Sequence, residues 1–212
     1  MRSTANIVSN DEGFSLTEMM VVSVLVAIIL AAAWLASATV TTAADGMMAR
    51  NAAQTQGQQA LERMTREIRQ GRIIFDAAGQ ANTVKAPITT TQLTFYADID
   101  HDGLTERVTY NLTAAGLLQR SVARTTVASP APTGYGSDSA PTTLAQMTPG
   151  TANLFTCWTA TDPPVQTTDP STVRAVQITM NTIAQSGGSA VTVPFSPTLV
   201  EVRAYGDGYQ PW

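Results

Sequence analysis

Two stretches place ionisable side chains where chemistry could follow. One is Glu18, the single ionisable residue in the apolar run from Phe14 to Ala38. A carboxylate in a membrane-spanning helix costs on the order of 2.5–3.5 kcal/mol at the bilayer centre and less towards an edge, so it is a functional candidate by default. The other stretch is Asp98-Ile99-Asp100-His101-Asp102-Gly103-Leu104-Thr105-Glu106. Aspartates at alternate positions followed by glycine open a calcium loop of the D-x-D-x-D-G type. Hard cations take several carboxylate and carbonyl oxygens, and the glycine permits the sharp turn around them. The candidate ligands are Asp98, Asp100, Asp102 and Glu106, and calcium is the candidate cofactor. The twelfth place of an EF-hand loop falls on Thr109, so that pattern is incomplete. The same residues also read as a polar hairpin turn, since Asp-Gly is itself a turn signal.

Other chemistries find no residues. His101 is the only histidine and Cys157 the only cysteine, which leaves no zinc set and no intrachain disulfide. A nucleophilic triad would have to recruit His101 from among acids in a turn. No glycine loop of the phosphate-cradling kind occurs. The sequence therefore reads as that of a protein that is not an enzyme. No clustered basic face points to nucleic acid, and the formal net charge is −4.

Both candidate sites depend on the elements that carry them. The run Phe14–Ala38 is long enough to cross a bilayer core roughly 30 Å thick. It exceeds the 7–15 residues of a signal-peptide core. The stretch before it is not basic, with Arg2 against Asp11 and Glu12. A plain anchor explains the length but not Glu18. The string Gly13-Phe14-Ser15-Leu16-Thr17-Glu18, with its polar leader and apolar sequel, resembles the N-terminus of type IV prepilins. That resemblance implies cleavage between Gly13 and Phe14 by a prepilin peptidase and methylation of the new amine on Phe14. Glu18 then stands fifth in the mature chain. Phe14 and Glu18 share a helical face, so the amine of the same or a neighbouring subunit can neutralise Glu18 during assembly. The partners implied are prepilin peptidase, other pilin or pseudopilin subunits, an inner-membrane assembly platform and the lipid bilayer.

No proline precedes Pro87, so nothing sterically forbids a helix from Phe14 to about Gln70, roughly 85 Å long. Gly46 and Gly57 are soft points within it. Leu61, Met64 and Ile68 form an apolar stripe on an otherwise polar segment, Glu62–Arg66 and Arg63–Glu67 are i,i+4 pairs, and Gly71 reads as the stop. From Gln92 the period shortens to two. Leu93, Phe95 and Ala97 alternate with polar residues, as do Val108, Tyr110 and Leu112, and Leu117–Val122 makes a third strand of an antiparallel meander. Residues 124–171 read as a long irregular insert with an apolar island at Leu154–Trp158. Strands resume at Val176–Met180, near Val191–Val193 and at Leu199–Ala204, with a turn at Ser186-Gly187-Gly188.

The expected fold class is α+β: a long N-terminal helix, transmembrane in its first half, packed on a C-terminal antiparallel β-sheet domain. The divisions are a leader at 1–13, a transmembrane and filament-core helix at 14–38, its amphipathic continuation at 39–71, and an extracytoplasmic β-rich domain at 72–212. The order of elements, with Leu61–Arg69 followed by Leu93-Thr94-Phe95-Tyr96-Ala97-Asp98 and Arg107-Val108-Thr109-Tyr110, also resembles minor pilins and pseudopilins of the PilW or GspJ type. The function implied is a structural subunit of a type IV pilus, of the minor class. It would start as a single-pass protein of the cytoplasmic membrane and end in the fibre. A type II secretion pseudopilin is the alternative within the class, and a membrane-anchored calcium-dependent binding domain the alternative outside it.

Overall fold

The computed structural model describes residues 15–71, 74–75, 81–82, 84–85, 88–125, 135–151, 153–186 and 189–202. The chain divides into two compact units, Met1–Asp45 and Gly46–Trp212. One helix, α1 (Leu16–Arg69), runs through the boundary. In the first unit its apolar side chains, from Leu16 through Val40, are exposed throughout. That is the arrangement of a helix whose solvent is lipid or other helices rather than water. By length and composition this helix can cross a membrane.

In the second unit the helix behaves differently. Ala53, Gly57, Ala60, Met64, Glu67 and Ile68 are buried, recurring at the three- and four-residue spacing of one helical face. Gly71 ends the helix, its amide donating to the Ile68 carbonyl at 3.0 Å, and pairs directly with Ala97. The chain then makes β1 (Ile74–Phe75), β2 (Ala81–Asn82) and β3 (Val84–Lys85) before the main sheet. That sheet comprises β3, β4 (Gln92–Ala97), β5 (Glu106–Leu112), β6 (Leu117–Ala123) and β7 (Thr142–Gln146), antiparallel and in sequence order. A three-stranded sheet places β9 (Ala175–Ile178) between β12 (Thr198–Glu201) and β8 (Phe155–Trp158). The hairpin of β10 (Asn181–Ser186) and β11 (Ser189–Pro194) is joined to the end of β7 through a bridge between Met147 and Thr182.

One core unites these layers. Met64 and Ile68 of α1 meet Leu93, Phe95, Val108, Tyr110 and Leu118 of the large sheet and Phe155, Val176, Ile178 and Val200 of the small one. Each fully buried side chain of this kind contributes about 1.5–3 kcal/mol. The β5–β6 turn needs glycine at 116, where φ is +80° and an added Cβ would stand 2.5 Å from the Met147 carbonyl oxygen.

The α+β architecture is the expected one. The stretch 124–171 is not irregular throughout: β7 and β8 both lie in it. β7 is threonine-rich, buries only Ala145 fully and sits at a sheet edge, so it carries little period-two signal. The apolar island is β8, with Phe155 and Cys157 inward. Strand β4 also departs from simple alternation, because Thr94 and Tyr96 are buried along with Leu93 and Phe95. On its second face Tyr96 packs against Tyr135, whose ring lies 5.4 Å away and under the Arg107 guanidinium. The Gly187-Gly188 turn and Arg203–Ala204 lie outside the described residues.

Candidate functional site

Glu18 lies in the first turn of α1, exposed. Ser15 caps this end, its hydroxyl oxygen accepting the Glu18 amide at 3.2 Å while its carbonyl accepts the amides of Glu18 and Met19. Ser15-Leu16-Thr17-Glu18 thus has the serine and the acid of a capping box, and an acid in the first turn also complements the helix dipole. Gly13 and Phe14, the expected cleavage and methylation positions, lie outside the described residues. The fit of an α-amine to Glu18 therefore rests on the four-residue spacing alone.

The acidic stretch forms the loop between β4 and β5. Asp98 and Glu106 are buried, whereas Asp100 and Asp102 are exposed. One carboxylate oxygen each from Asp98, Asp100 and Glu106 lie within 4.8 Å of one another. Calcium–oxygen bonds run about 2.3–2.6 Å, so a single ion can touch all three, with carbonyls and water completing its shell. Asp102 is not brought into this group. Its Oδ1 instead accepts the Leu104 amide at 2.7 Å, holding the turn. Glu106 Oε2 accepts the Ile99 amide at 2.9 Å, and Arg124 reaches Asp100 at 3.7 Å. Burial above all, opposed by the Ile99 amide and reinforced by Asp100, Asp102 and Asp98, holds the Glu106 carboxyl above the usual carboxylate range. His101 takes a left-handed backbone (φ 63°), and its Nε2 lies 3.3 Å from Gln70 Nε2 at the end of α1.

A third cluster joins the helix to the sheet. Glu67, buried on the inner face of α1, accepts from Tyr110 Oη at 2.7 Å and from Arg120 Nε at 2.9 Å. Its other oxygen lies 2.9 Å from Arg120 Nη2 and 3.1 Å from Arg63 Nε. Tyr110 and Arg120 face each other across the β5–β6 ladder. Burial first, then the Glu67 charge, push the Tyr110 phenol well above its ordinary range. Burial pulls the Arg120 guanidinium down, but its bonds to Glu67 outweigh that and keep it firmly charged. The Arg63–Glu67 spacing was visible in the sequence; the two partners on the sheet were not. The available signal was Glu67 falling in register with Ala60, Met64 and Ile68, where a charge needs an answering charge. Cys157 is buried in β8, and burial pushes its thiol up to about 11, which suits an inert core residue.

Residues 8–34 match the family described as the prokaryotic N-terminal methylation motif. No curated protein and no solved structure matches the chain. The match covers Gly13, Phe14 and Glu18 and ends within the apolar half of α1, so the β-sheet unit contributes nothing to it. The motif is that of type IV pilin-like precursors. Together with the apolar helix it supports a membrane-anchored pilin-like or pseudopilin protein, a structural subunit rather than an enzyme, that is processed by a prepilin peptidase and assembles with other pilins.

Proposed function

We propose that this chain is a subunit, of the minor class, of a type IV pilus. It enters the cytoplasmic membrane as a single-pass precursor with its β-sheet unit outside. Prepilin peptidase cleaves between Gly13 and Phe14, and the new Phe14 amine is methylated. Glu18 then pairs with such an amine inside the bundle of α1 helices. One observation carries the reading: the match to the methylation motif spans Glu18, the sole acid of the exposed apolar stretch from Ser15 to Ala38 and four residues after Phe14. A desolvated carboxylate there is tolerable only beside a cation. The lone cysteine, which leaves the domain without an intrachain disulfide, supports the minor class.

Mass spectrometry of the N-terminus isolated from membranes tests cleavage and methylation together; a chain beginning at Met1, or at Thr39 after signal-peptide-type cleavage behind the small residues Ala36-Ser37-Ala38, would refute the proposal. Glu18→Ala should leave membrane insertion intact and abolish incorporation into fibres. A second reading, a calcium-dependent binding domain on a membrane anchor, is favoured by the convergence of Asp98, Asp100 and Glu106. On that reading Glu18→Ala changes nothing, and calorimetry with millimolar calcium gives a heat of binding that Glu106→Gln removes.

A further inference from the structure

Strand β8 is an edge of the small sheet, and its outer side is only partly paired. The Leu154 and Trp158 carbonyls accept the Thr179 and Arg174 amides at 2.9 Å, so Leu154, Thr156 and Trp158 turn their backbone towards β9. Phe155 and Cys157, which alternate with them, turn theirs outward. On that side the Phe155 amide donates to the Thr90 carbonyl, and the Cys157 carbonyl accepts from the Thr167 amide, both at 2.9 Å. The Phe155 carbonyl and the Cys157 amide make no hydrogen bond among the described residues. Both residues line a cleft of about 460 Å³, which Thr89 and Thr90 border along with Gln166, Thr167 and Thr168. Backbone groups of residues as enclosed as these, 1% and 4% exposed, are almost always paired in native proteins. The cleft thus presents one donor and one acceptor, side by side, to whatever enters it.

We propose that this cleft binds an uncharged sugar, one hydroxyl accepting from the Cys157 amide while its neighbour donates to the Phe155 carbonyl. The inference concerns the β-sheet unit and stands whether or not the chain enters a fibre. Pairing, charge and size select the ligand. A hydroxyl both donates and accepts, so adjacent hydroxyls can meet an N–H and a C=O together. An added β-strand cannot exploit them, because strand addition pairs a run of residues. Here Thr90 and Thr167 already hold the neighbouring backbone groups of β8. No acidic or basic side chain lines the cleft, and burial holds the Cys157 thiol neutral. An ionic ligand would give up solvation there without meeting a countercharge. The exposed side chains of Asn153, Gln166 and Thr168 also line it and make no hydrogen bond among the described residues, whereas Thr167 is engaged with Thr172. Each of the three carries donor and acceptor capacity, which suits further hydroxyls. Ile88 adds an apolar wall for the C–H face of a ring. The volume lies within the roughly 300–1,000 Å³ of small-molecule sites.

Cys157 is the only cysteine, so labelling the full chain with isotopic cysteine gives a single amide signal in NMR, that of the proposed donor. The chain is held in micelles of a zwitterionic detergent, since a sugar-headed detergent would compete. Methyl glycosides of glucose, galactose, mannose and N-acetylglucosamine are titrated to millimolar excess, beside the free sugars. At least one should move the Cys157 amide proton downfield and saturate. Tighter binding of the glycoside points to a sugar within a chain, and tighter binding of the free form to a soluble one. Thr168→Trp, an exposed substitution that fills the cleft, should abolish the response. Gln166→Ala should weaken binding about five-fold, the order of one hydrogen bond. The site is overturned if no sugar moves the signal, or if the response survives Thr168→Trp. It is also overturned if N-acetyl-trialanine amide, an uncharged peptide, gives the larger response, since the cleft then takes polypeptide.

Discussion

Glu67 is where a single substitution should do the most damage. Glu67→Ala removes an acceptor that serves Tyr110, Arg120 and Arg63 at 2.7–3.1 Å. The three partners do not lose equally. The Arg63 side chain is 48% exposed, so water replaces the carboxylate there and the loss is a few tenths of a kcal/mol. The Arg120 side chain is only 11% exposed, and Tyr110 is fully buried. Stranding one charge of a buried pair costs about 3–5 kcal/mol. A phenol left without an acceptor costs about 1–3 kcal/mol, part of which is the same desolvation counted again. A total of about 4–5 kcal/mol follows for Glu67→Ala. Domain stabilities run about 5–15 kcal/mol, so the variant should stand close to unfolding. Glu67→Gln keeps the shape and one acceptor oxygen but not the charge, and should lose about half as much.

The assay is urea unfolding of the full chain in detergent micelles, with near-ultraviolet circular dichroism reporting the β-sheet unit. A combined variant gives the sharper result. With Glu67→Met, Tyr110→Phe and Arg120→Met made together, no polar group is stranded. Buried ion pairs replaced by packed apolar residues are often neutral or better. The triple variant should therefore be more stable than Glu67→Ala alone by at least about 2 kcal/mol. A Glu67→Ala loss below about 1 kcal/mol would show that the cluster is solvated. A triple variant that loses as much as the summed single variants would show that the groups act independently, and either result refutes the reasoning.

Three further outcomes follow from the same structure. At pH 8 a thiol held near 11 is a thiolate on the order of 200-fold less often than an ordinary cysteine, so Cys157 should resist iodoacetamide in the native chain and react once it is unfolded by urea; equal rates would place it at the surface. Gly57→Ala brings a Cβ within 2.3 Å of the Phe195 ring, so despite a helix-propensity gain of about 1 kcal/mol the variant should be destabilised by about 1–2 kcal/mol, and a higher melting temperature would refute the contact. Glu106, with its folded pKa raised, favours the folded state below its unfolded value near 4.3 and loses that contribution as pH rises through the folded value. Glu106→Gln should therefore melt higher than the parent at pH 7 in EDTA, with the gain shrinking towards pH 4; a gain that grows on acidification would invert the sign.

What the sequence disclosed and what it withheld divide along physical lines. The stripe of Met64 and Ile68 and the alternation through β5 were legible because one buried face recurs at a fixed period. Gly71 was legible as a stop because its backbone freedom acts locally. β7 was not, since an edge strand of threonines buries too little to leave a pattern. In the acidic loop, composition pointed to four carboxylates, but backbone geometry sorts them: Asp102 turns back to its own loop while Asp98, Asp100 and Glu106 converge.

Glu67 is the instructive case. Read along the chain it is half of a weak surface pair with Arg63. Read across the fold it is bound by Arg120, fifty-three residues later, through the β5–β6 hairpin. No local rule contains that distance. A local rule does contain the anomaly, since a carboxylate in register with an apolar stripe is costly unless the opposing surface supplies donors. The same reasoning isolates Glu18 at the other end of α1, where none of the described residues offers the side chain such a donor. One helix thus carries two misplaced acids. The sheet answers the first within the chain; on the proposed role as a fibre subunit, an amine at the head of α1, its own or a neighbour's, answers the second, and assembly and folding become two uses of one electrostatic device.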